Sequence, residues 1–298
     1  MSERSIFANL IRDADGSIST TYGPFTLQSA LQPILRETGD GGLQLAAMEG
    51  LIRASRSGTP CLPSEFFSAV EPRDRARIDS LCRNLHILNA GALRRKTSIL
   101  VVKLDPALLR EEHAIRLEID RMRIVAREAA IAPEHIACEI RRSADETAAL
   151  AGDLARQLHE HGFKVAIDGY NGDDSDLDRL KWLEPDLVKF DSAWLSGFAT
   201  NSAGLALLRV LIGQFHRDGI LPIVSGIEEP WQIELCRDLG SPLMEGYLIA
   251  RPELAPTGFN LHFPEDDFAP PETATESGDP LAERSARRGA ATFGKRGA

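Results

Sequence analysis

The chain has 298 residues, of which 43% are hydrophobic and 26% charged, values typical of a folded globular protein. Its formal net charge of −10 argues against a nucleic-acid polymer as partner, while a locally positive site for a small anion stays open. Because no apolar run approaches the roughly 20 residues that cross a bilayer and no signal peptide is evident, we expect a cytoplasmic protein without a membrane partner. Four widely spaced cysteines favour buried thiols over zinc or disulfides.

Short apolar runs alternate with longer amphipathic stretches from Phe25 to about Pro252. Most of the runs are typical of buried parallel strands, and the stretches between them have helical length and period. Leu150, Leu154 and Leu158, for example, fall on one helical face, as core residues do. The alternation predicts the α/β class and a closed, TIM-type (β/α) barrel. The runs begin at Phe25, Leu43, Ser98, His135, Phe163, Asp186, Ile220 and Pro242, and the helical stretches span 71–92, 107–130, 145–161, 177–183, 203–217 and 230–239.

The two ends of the chain lack this alternation. Residues 1–22 form a poorly patterned N-terminal segment. Residues 263–298 are rich in Pro, Gly, Ser, Ala and charge, so they bury too little apolar surface to offset their ordering entropy. We therefore predict a barrel domain over residues 23–262 and a disordered C-terminal tail over 263–298, with a tethered interaction peptide as the alternative for the tail.

Charged residues close most of the apolar runs. In a (β/α) barrel the functional face lies at the C-terminal ends of the strands, so these residues are candidates for one shared site. A single acid in such a position is more often a helix cap. Charges delivered by six strands to one rim favour a site for an anion and for metal ions instead. The residues are Glu49, Lys103, Asp105, Glu139, Asp168, Lys189, Asp191 and Glu228.

A series of short motifs runs through the same region in a fixed order. The first two are Gln32-Pro33-Ile34 and Glu49-Gly50-Leu51-Ile52-Arg53. The others are LPSEFF from Leu62, RIDSLC from Arg77, ILVVKLDP from Ile99, CEIRR from Cys138, AIDGYNGDDS from Ala166, VKFD from Val188, VSGIEE from Val224 and MEGYLIARP from Met244. In order and spacing they resemble the EAL domain, the bacterial cyclic di-GMP phosphodiesterase module, in which the second motif reads E-A-L-L-R.

This resemblance implies a modified (β/α)8 barrel whose first strand runs antiparallel and which holds cyclic di-GMP across the strand ends. Active members use two divalent metals, Mg²⁺ or Mn²⁺, to activate the water that opens one phosphodiester bond. Hard cations prefer oxygen ligands, which explains the acids at the metal positions. By this comparison the metal ligands are Glu49, Glu139 and Asp168, the retained catalytic positions are Lys189 and Glu228, and the ligand-binding residues are Gln32, Glu49, Leu51, Arg53, Asp168 and Asp191.

Five positions depart from the family pattern. Lys103 stands where the family has an Asn metal ligand, Gly169 replaces the second Asp of an Asp pair, and Ser225 replaces a Glu. Arg142 replaces the second Glu of L-E-I-T-E, and Glu245 replaces a Gln. The first four changes make the site about five charge units more positive, and one unit charge about 4 Å from a divalent ion costs roughly 8 kcal/mol at an effective dielectric of about 20. We therefore expect no metal cofactor and no two-metal hydrolysis.

Lys103 leads to a specific hypothesis. Its ammonium group would replace the charge of the first metal and lie among Glu49, Glu139 and Asp168, so that these acids stay paired without a cation. The alternative is that Lys103 extends from the strand end into solvent.

The leading functional prediction is a degenerate EAL protein that acts as a non-hydrolysing cyclic di-GMP receptor or regulatory adaptor. One alternative is a ligand-independent interaction scaffold that regulates motility or transcription. Another is a weak phosphodiesterase with a single Mg²⁺ or Mn²⁺, although Ser225 is a poor base at neutral pH. Because the sequence shows no sensor, membrane anchor or companion cyclase segment, we expect input through the ligand or a protein partner, and a homodimer stays open.

Overall fold

A computed structural model describes residues 10–109, 111–142, 148–240 and 242–265 of the chain. At its centre is a β-sheet that closes on itself. The strands are β1 (Leu10–Arg12), β2 (Ile18–Tyr22), β3 (Phe25–Glu37), β4 (Leu43–Arg56), β5 (Thr59–Cys61), β6 (Ile99–Leu104), β7 (Ile136–Ile140), β8 (Lys164–Ile167), β9 (Leu187–Asp191), β10 (Leu221–Ser225), β11 (Leu243–Met244) and β12 (Glu253–Leu254).

Eight strands of the described ranges form the barrel. Around the ring β3 is followed by β11, β10, β9, β8, β7, β6 and β4, and β4 pairs with β3 to close it. Neighbours from β4 through β6 to β11 run parallel, whereas β3 is antiparallel to both β4 and β11. The predicted α/β barrel and the antiparallel first strand are both confirmed.

Helices alternate with the barrel strands along the chain. They are α1 (Pro63–Ala69), α2 (Arg75–Gly91), α3 (Glu112–Glu128), α4 (Ala148–Glu160), α5 (Asp174–Leu183), α6 (Ser192–Phe198), α7 (Ser202–Arg217), α8 (Pro230–Asp238) and α9 (Phe259–His262). The sequence pattern missed α1, α6 and α9, which have seven residues or fewer and span at most about two turns. Within the described ranges, no helix has the length and apolarity needed to span a membrane.

The hydrophobic core has two layers, because successive side chains of a strand point to opposite faces. The larger layer lies between the strands and the helices and includes Leu100, Val102 and Leu104 of β6. The smaller layer fills the inside of the barrel. Its members are Ile34, Ala46, Ala47, Ile99, Val101, Ala137, Ala166, Leu187, Ile223 and Leu243.

The sheet begins earlier than the hydrophobic pattern predicts. Strands β1 and β2 form a hairpin, and β2 pairs with β3, so residues 10–22 extend the sheet. Asn89 of α2 holds this hairpin, since its side-chain amide donates to the carbonyl of Ile18 at 2.8 Å and its Oδ1 accepts from the Ile18 N–H at 2.9 Å. Backbone pairing of short strands leaves little hydrophobic signal, which explains the difference.

The other end of the chain is described as far as Glu265. The carboxylate of Glu265 accepts hydrogen bonds from the backbone N–H groups of Lys96 and Thr97, both at 3.1 Å, and from the Thr97 hydroxyl at 2.7 Å. Residues 266–298 of the predicted tail lie outside the described residues, so the disorder of the tail stays a prediction.

The four cysteines are free thiols. Cys82, Cys138 and Cys236 are buried, as predicted. Cys61 is only half-buried, because it lies at the end of the short strand β5, which pairs with β4 alone.

Candidate functional site

A layer of charged side chains lies inside the barrel, next to the inner apolar layer and toward the C-terminal ends of the strands. Side chains two residues apart on a strand point to the same face of the sheet. The side chain two positions after an inner apolar residue therefore also points into the barrel. This places side chains from several strands at one level. The pairs are Ala47 and Glu49 on β4, Val101 and Lys103 on β6, Ala137 and Glu139 on β7, Leu187 and Lys189 on β9, and Ile223 and Ser225 on β10.

Two lysines and two glutamates form the centre of this layer. The Lys103 Nζ lies 2.7 Å from Glu49 Oε1 and 3.0 Å from Glu139 Oε1. The Lys189 Nζ contacts Glu49 Oε2 and lies 3.6 Å from Glu139 Oε2. Each carboxylate is therefore shared between both ammonium groups, and both oxygens of Glu49 are engaged.

Glu245, which directly follows β11, adds a third carboxylate. Its Oε2 lies 3.2 Å from Lys189 Nζ. Its backbone bonds to β10 and the segment after it, since its N–H donates to Val224 at 2.8 Å and its carbonyl accepts from Ile227 at 3.0 Å. The five residues Glu49, Lys103, Glu139, Lys189 and Glu245, called the charged cluster below, are the core of the candidate site.

The three acids of the charged cluster have different proton affinities. Burial opposes ionisation of Glu49, but the ammonium groups of Lys189 and Lys103 outweigh it and hold its pKa at about 2. Burial also raises the pKa of Glu139, and repulsion from Glu49 and Asp168 adds to the rise. The lysines lie farther from Glu139 than from Glu49, so they do not reverse this shift. Burial likewise raises the pKa of Glu245 to about 7. Glu49 is therefore the firmly ionised acid between the lysines.

The two lysines differ in their access to solvent. The side chain of Lys189 is 4% exposed and that of Lys103 is 40% exposed. The neighbouring carboxylates raise the pKa of both lysines despite burial, so both ammonium groups stay charged. Lys103 thus reaches from the carboxylates of the cluster to the pocket outside it.

That pocket has a volume of about 470 Å³ and lies over α2 and the C-terminal ends of β6 and β7. Positive side chains on its wall come from β4, α2, β6 and the segment after β7. Apolar side chains from β4 and α1 form another part. The positive set is Arg53, Arg83, Lys103, Arg141 and Arg142; the apolar set includes Leu51, Ile52, Pro63 and Phe67; and the acids are Asp79, Glu139 and Asp168.

The predicted ligand-binding residues of β3 and β4 lie around this region. Leu51 and Arg53 line the pocket, and the Arg53 Nη1 donates to the carbonyl of Ile52 at 3.1 Å. Gln32 pairs with Glu49 across the two strands. The Gln32 amide nitrogen donates to the carbonyl of Ala250 at 2.9 Å, and its buried Oε1 has no hydrogen-bond partner among the described residues.

Four predicted acids lie apart from the charged cluster. Asp105, just past β6, accepts from the Ala107 N–H at 3.0 Å. Asp168 is exposed and lines the pocket beside Lys103 and Glu139. Asp191 caps α6, since its carboxylate accepts from the Ala193 N–H at 2.7 Å. Glu228 is exposed, and its backbone N–H donates to Gln232 at 2.7 Å. The structure thus joins four of the eight charged strand-end residues, Glu49, Lys103, Glu139 and Lys189.

Two substituted positions near the cluster, Ser225 and Gly169, suit their local structure. The Ser225 hydroxyl donates to the carbonyl of Phe190 at 3.2 Å, so it is tied to the barrel wall. Gly169 has φ +65°, a left-handed conformation that favours glycine over aspartate. Both substitutions remove a carboxylate without leaving an unpaired polar group.

Arg142 holds the loop after Asp168 through a residue that the sequence analysis did not single out. The guanidinium of Arg142 contacts the buried carboxylate of Asp176, which in turn accepts from the backbone N–H groups of Asn171 at 2.7 Å and Gly172 at 3.1 Å. The motif that CEIRR resembles has a glutamate at the position of Arg142. Asp176 at the start of α5 supplies the carboxylate instead; the only sequence signal is the reversed charge at position 142.

A buried histidine explains the glycine of the second motif. A Cβ at Gly50 would lie 2.5 Å from His86 Cγ, so alanine does not fit beside this ring. The Nδ1 of His86 lies 2.7 Å from the Ser29 hydroxyl, and burial lowers the pKa of His86 to about 3. His86 therefore lines the pocket as a neutral side chain, a feature that sequence analysis missed because α2 and β4 are distant in the chain.

The charged cluster does not fit a pair of divalent metals. The carboxylate oxygens of Glu49 already accept from two ammonium groups, and those cations lie where metal ions would need to be. No group of three or more histidine, cysteine or acidic side chains arranged for a metal ion occurs among the residues that the structure describes. The donor set thus matches the ammonium groups rather than Mg²⁺ or Mn²⁺.

The family profile of the EAL domain matches residues 26–252, the region that contains the barrel and the charged cluster. The chain belongs to the EAL domain family. Among proteins with similar sequence, "Probable cyclic di-GMP phosphodiesterase PdeA" of Escherichia coli K12 is 30% identical over 97 residues, covering 33% of this chain and 13% of that protein. "Cyclic di-GMP phosphodiesterase NbdA" of Pseudomonas aeruginosa is 25% identical over 195 residues, covering 63% of this chain and 23% of that protein. This EAL chain therefore spans less than a quarter of either relative.

Solved EAL structures share the fold. The manganese and cyclic di-GMP complex of Klebsiella pneumoniae BlrP1 superposes with a TM-score of 0.65 at 24% identity, covering 78% of this chain and 57% of BlrP1. An EAL domain protein of Listeria monocytogenes superposes with a TM-score of 0.62 at 20% identity, covering 76% and 88% of the two chains. At these identities the likeness supports the barrel architecture and leaves the chemistry of the charged cluster to its own residues.

Proposed function

We propose that this EAL domain protein acts in cyclic di-GMP signalling as a receptor that binds the dinucleotide and does not hydrolyse it. The observation that carries the proposal is the position of Lys103 and Lys189, whose ammonium groups form ion pairs with the carboxylates of Glu49 and Glu139. In this proposal Lys103 stands in for the first metal. Its ammonium group pairs with Glu49 and Glu139 without a cation cofactor.

The pocket beside Lys103 supports binding of an anionic nucleotide. Arg53, Arg141 and Arg142 add three guanidinium groups to its wall, and such groups form strong charge-assisted hydrogen bonds with phosphate oxygens. Leu51 and Phe67 offer apolar surface against which a base can pack. Because Lys103 is 40% exposed, its ammonium can meet a phosphate while it holds the two glutamates.

The same arrangement argues against hydrolysis. In-line displacement at a phosphodiester needs an activated water and stabilisation of the leaving oxygen. Ser225, at the position where the family has a glutamate, is an alcohol tied to the Phe190 carbonyl and is a poor base at neutral pH. Binding without turnover suits a receptor or regulatory adaptor whose output passes through a protein partner.

Calorimetric titration with cyclic di-GMP, with and without Mg²⁺ or Mn²⁺, combined with chromatography of the nucleotide, tests this proposal. We expect saturable binding that does not depend on metal and no linear dinucleotide. The variant Arg53→Gln should weaken binding at least tenfold, whereas the matched control Arg75→Gln, at an exposed position of α2, should change it less than twofold.

Two results would overturn the receptor. Absence of binding under all conditions would favour the ligand-independent scaffold. Metal-dependent formation of linear product, abolished in Glu49→Gln, would establish the weak phosphodiesterase.

A further inference from the structure

We propose that a second site, at the opposite end of the barrel from the charged cluster, binds a small molecule through a phosphate group. The site is a groove of about 740 Å³, called the basal groove, between the β1–β2 hairpin, the C-terminal ends of α2 and α3, and the segment before β7. Lys96 in this groove precedes β6, and Lys103 of the charged cluster is near the end of that strand. At about 3.3 Å per residue the two are roughly 23 Å apart.

The basal groove is positively charged in a chain whose formal net charge is −10. Arg12 from β1 and Arg94, Arg95 and Lys96 from the segment after α2 line it, and Glu128 is the acid among its lining residues. The groove also has an apolar part. Ile18, Leu88, Ala92, Ala129, Ile131 and Ala132 form it. This combination suits an anion that carries an apolar or planar body.

Arg95 is a buried lining residue of the basal groove that is held in place by hydrogen bonds. Its side chain is 3% exposed and is fixed by hydrogen bonds from Nε to the Ser98 hydroxyl at 2.9 Å and from Nη1 to the Phe263 carbonyl at 2.8 Å. Asn260 Oδ1, at 3.0 Å from Nη1, and Glu265, at 3.6 Å from Nε, complete its surroundings. Its buried Nη2 has no hydrogen-bond partner among the described residues.

His135, a second lining residue of the groove, also has a buried nitrogen without a partner among the described residues. His135 Nδ1, which also has no partner in the described part of the chain, lines the groove together with Arg95. Both side chains also line a recess of about 20 Å³ that shares Gly91, Ala130 and Ile131 with the groove. A recess of this size holds about one oxygen atom. Buried polar atoms are normally hydrogen-bonded, so the two nitrogens mark a position for an oxygen acceptor.

A phosphate group satisfies these features together. In the proposed complex one phosphate oxygen occupies the recess that Arg95 and His135 both line and accepts from Arg95 Nη2 and from His135 in its Nδ1–H form, while the remaining oxygens face the exposed cations Arg12, Arg94 and Lys96. Arg94 also lies just past α2, where a cation stabilises the C-terminal end of a helix. That role accounts for an exposed arginine but not for the buried, open Nη2 of Arg95.

Calorimetric titration of the full chain with sodium pyrophosphate and with GTP tests the proposal. We expect binding at one site per chain. The double variant Arg12→Gln/Arg94→Gly should weaken it at least tenfold. Both residues are exposed, and Arg94 has φ +54°, which glycine adopts without strain, so the variant should fold. The control Arg75→Gln/Arg116→Gln removes the same charge from the opposite ends of α2 and α3 and should change affinity less than twofold.

The two probes also distinguish the source of the phosphate. Equal affinities support a simple phosphate ligand, and an affinity for GTP at least tenfold higher supports a nucleotide. Absence of binding by both probes at millimolar concentration would overturn the site, as would an equal loss in the control. If Arg53→Gln abolishes the heat while Arg12→Gln/Arg94→Gly leaves it in place, the ligand occupies the pocket beside Lys103 and the basal groove is refuted.

Discussion

Two buried ion-pair networks flank strand β6, and they are built differently. On the helix side, Arg83 of α2 bonds to Glu118 through Nε at 3.0 Å and Nη2 at 2.7 Å, and its Nη1 contacts Asp79 and the carbonyl of Lys103 at 3.2 Å. Inside the barrel, two lysines share three glutamates. Here Glu139 Oε2 and Glu245 Oε2 have no hydrogen-bond partner among the described residues, although both lie near Lys189.

The difference shows which network is structural. The planar guanidinium of Arg83 is bonded through all its nitrogens, an arrangement that joins α2, α3 and β6 rigidly. In the charged cluster, by contrast, one carboxylate oxygen each of Glu139 and Glu245 lacks a hydrogen-bond partner among the described residues, and Lys103 is open to solvent.

The largest effect is expected for Arg83→Met. It leaves Glu118, whose side chain is 2% exposed, without its main cation, so the free energy of unfolding should fall by about 4 kcal/mol. Urea denaturation followed by circular dichroism measures this loss. The control Arg116→Met breaks an exposed pair on α3 and should cost less than about 0.5 kcal/mol. A loss below about 1 kcal/mol for Arg83→Met would contradict the structural role.

A somewhat smaller loss is expected for Lys189→Met, about 3 kcal/mol at pH 7, because Lys103 still neutralises part of the charge on Glu49 and Glu139. Acids that lose their cation bind protons more readily, so the loss should shrink as the pH falls to 5. Denaturation at the two pH values tests this. A loss that is equal at both would show that Lys189 acts through packing rather than charge.

The variant Glu245→Gln, which restores the family residue, should stabilise the protein. Burial raises the pKa of Glu245 to about 7 from its ordinary value near 4.5, so the folded state binds more protons than the unfolded state between these values. Stability is therefore lost as the pH rises from 4.5 to 7. The variant should be more stable by about 2 kcal/mol at pH 8 and no more stable at pH 4.5.

Thermal unfolding over this pH range measures the difference. Glu228→Gln is the matched control, because Glu228 is exposed, and it should leave the profile unchanged. A Glu245→Gln variant that is less stable at pH 8 would show that the pair with Lys189 outweighs burial.

The smallest effect is expected for Lys103→Met. Its side chain is 40% exposed and Lys189 remains beside Glu49, so the loss should be about 1 kcal/mol in urea denaturation. The same variant should release no linear dinucleotide with Mg²⁺, because Ser225 and Gly169 still lack the family's carboxylates. Hydrolysis by Lys103→Met would show that this lysine alone blocks the metals.

The barrel was predictable because its strands and helices are long enough to display a period. Runs such as Ser98–Leu104 contain buried apolar residues on both faces, which is typical of parallel strands. The helices α1 and α6 were missed because they are short, and the hairpin β1–β2 was missed because it is held by the distant residue Asn89.

Four charged residues of the site could be found from the sequence, because each lies at the end of an apolar run. Glu49, Glu139 and Lys189 match the family motifs, and Lys103 departs from one. The same reasoning does not separate Asp191, which caps a helix, from an acid in the cluster. Position along a strand is encoded locally, but the direction in which a residue past the strand end points depends on the helix that follows.

The order of secondary structure, the family and the altered charge at the strand ends are all properties of the linear chain, since periodicity and residue type are local. The pairing of Lys189 with Glu49 and Glu245, the contact of His86 with Gly50 and the open nitrogen of Arg95 arise only in the folded barrel. Such contacts join side chains tens of residues apart or more. The energy of such a contact depends strongly on the distance between the two groups. It is therefore gained only when the closed barrel brings them within a few ångströms of each other.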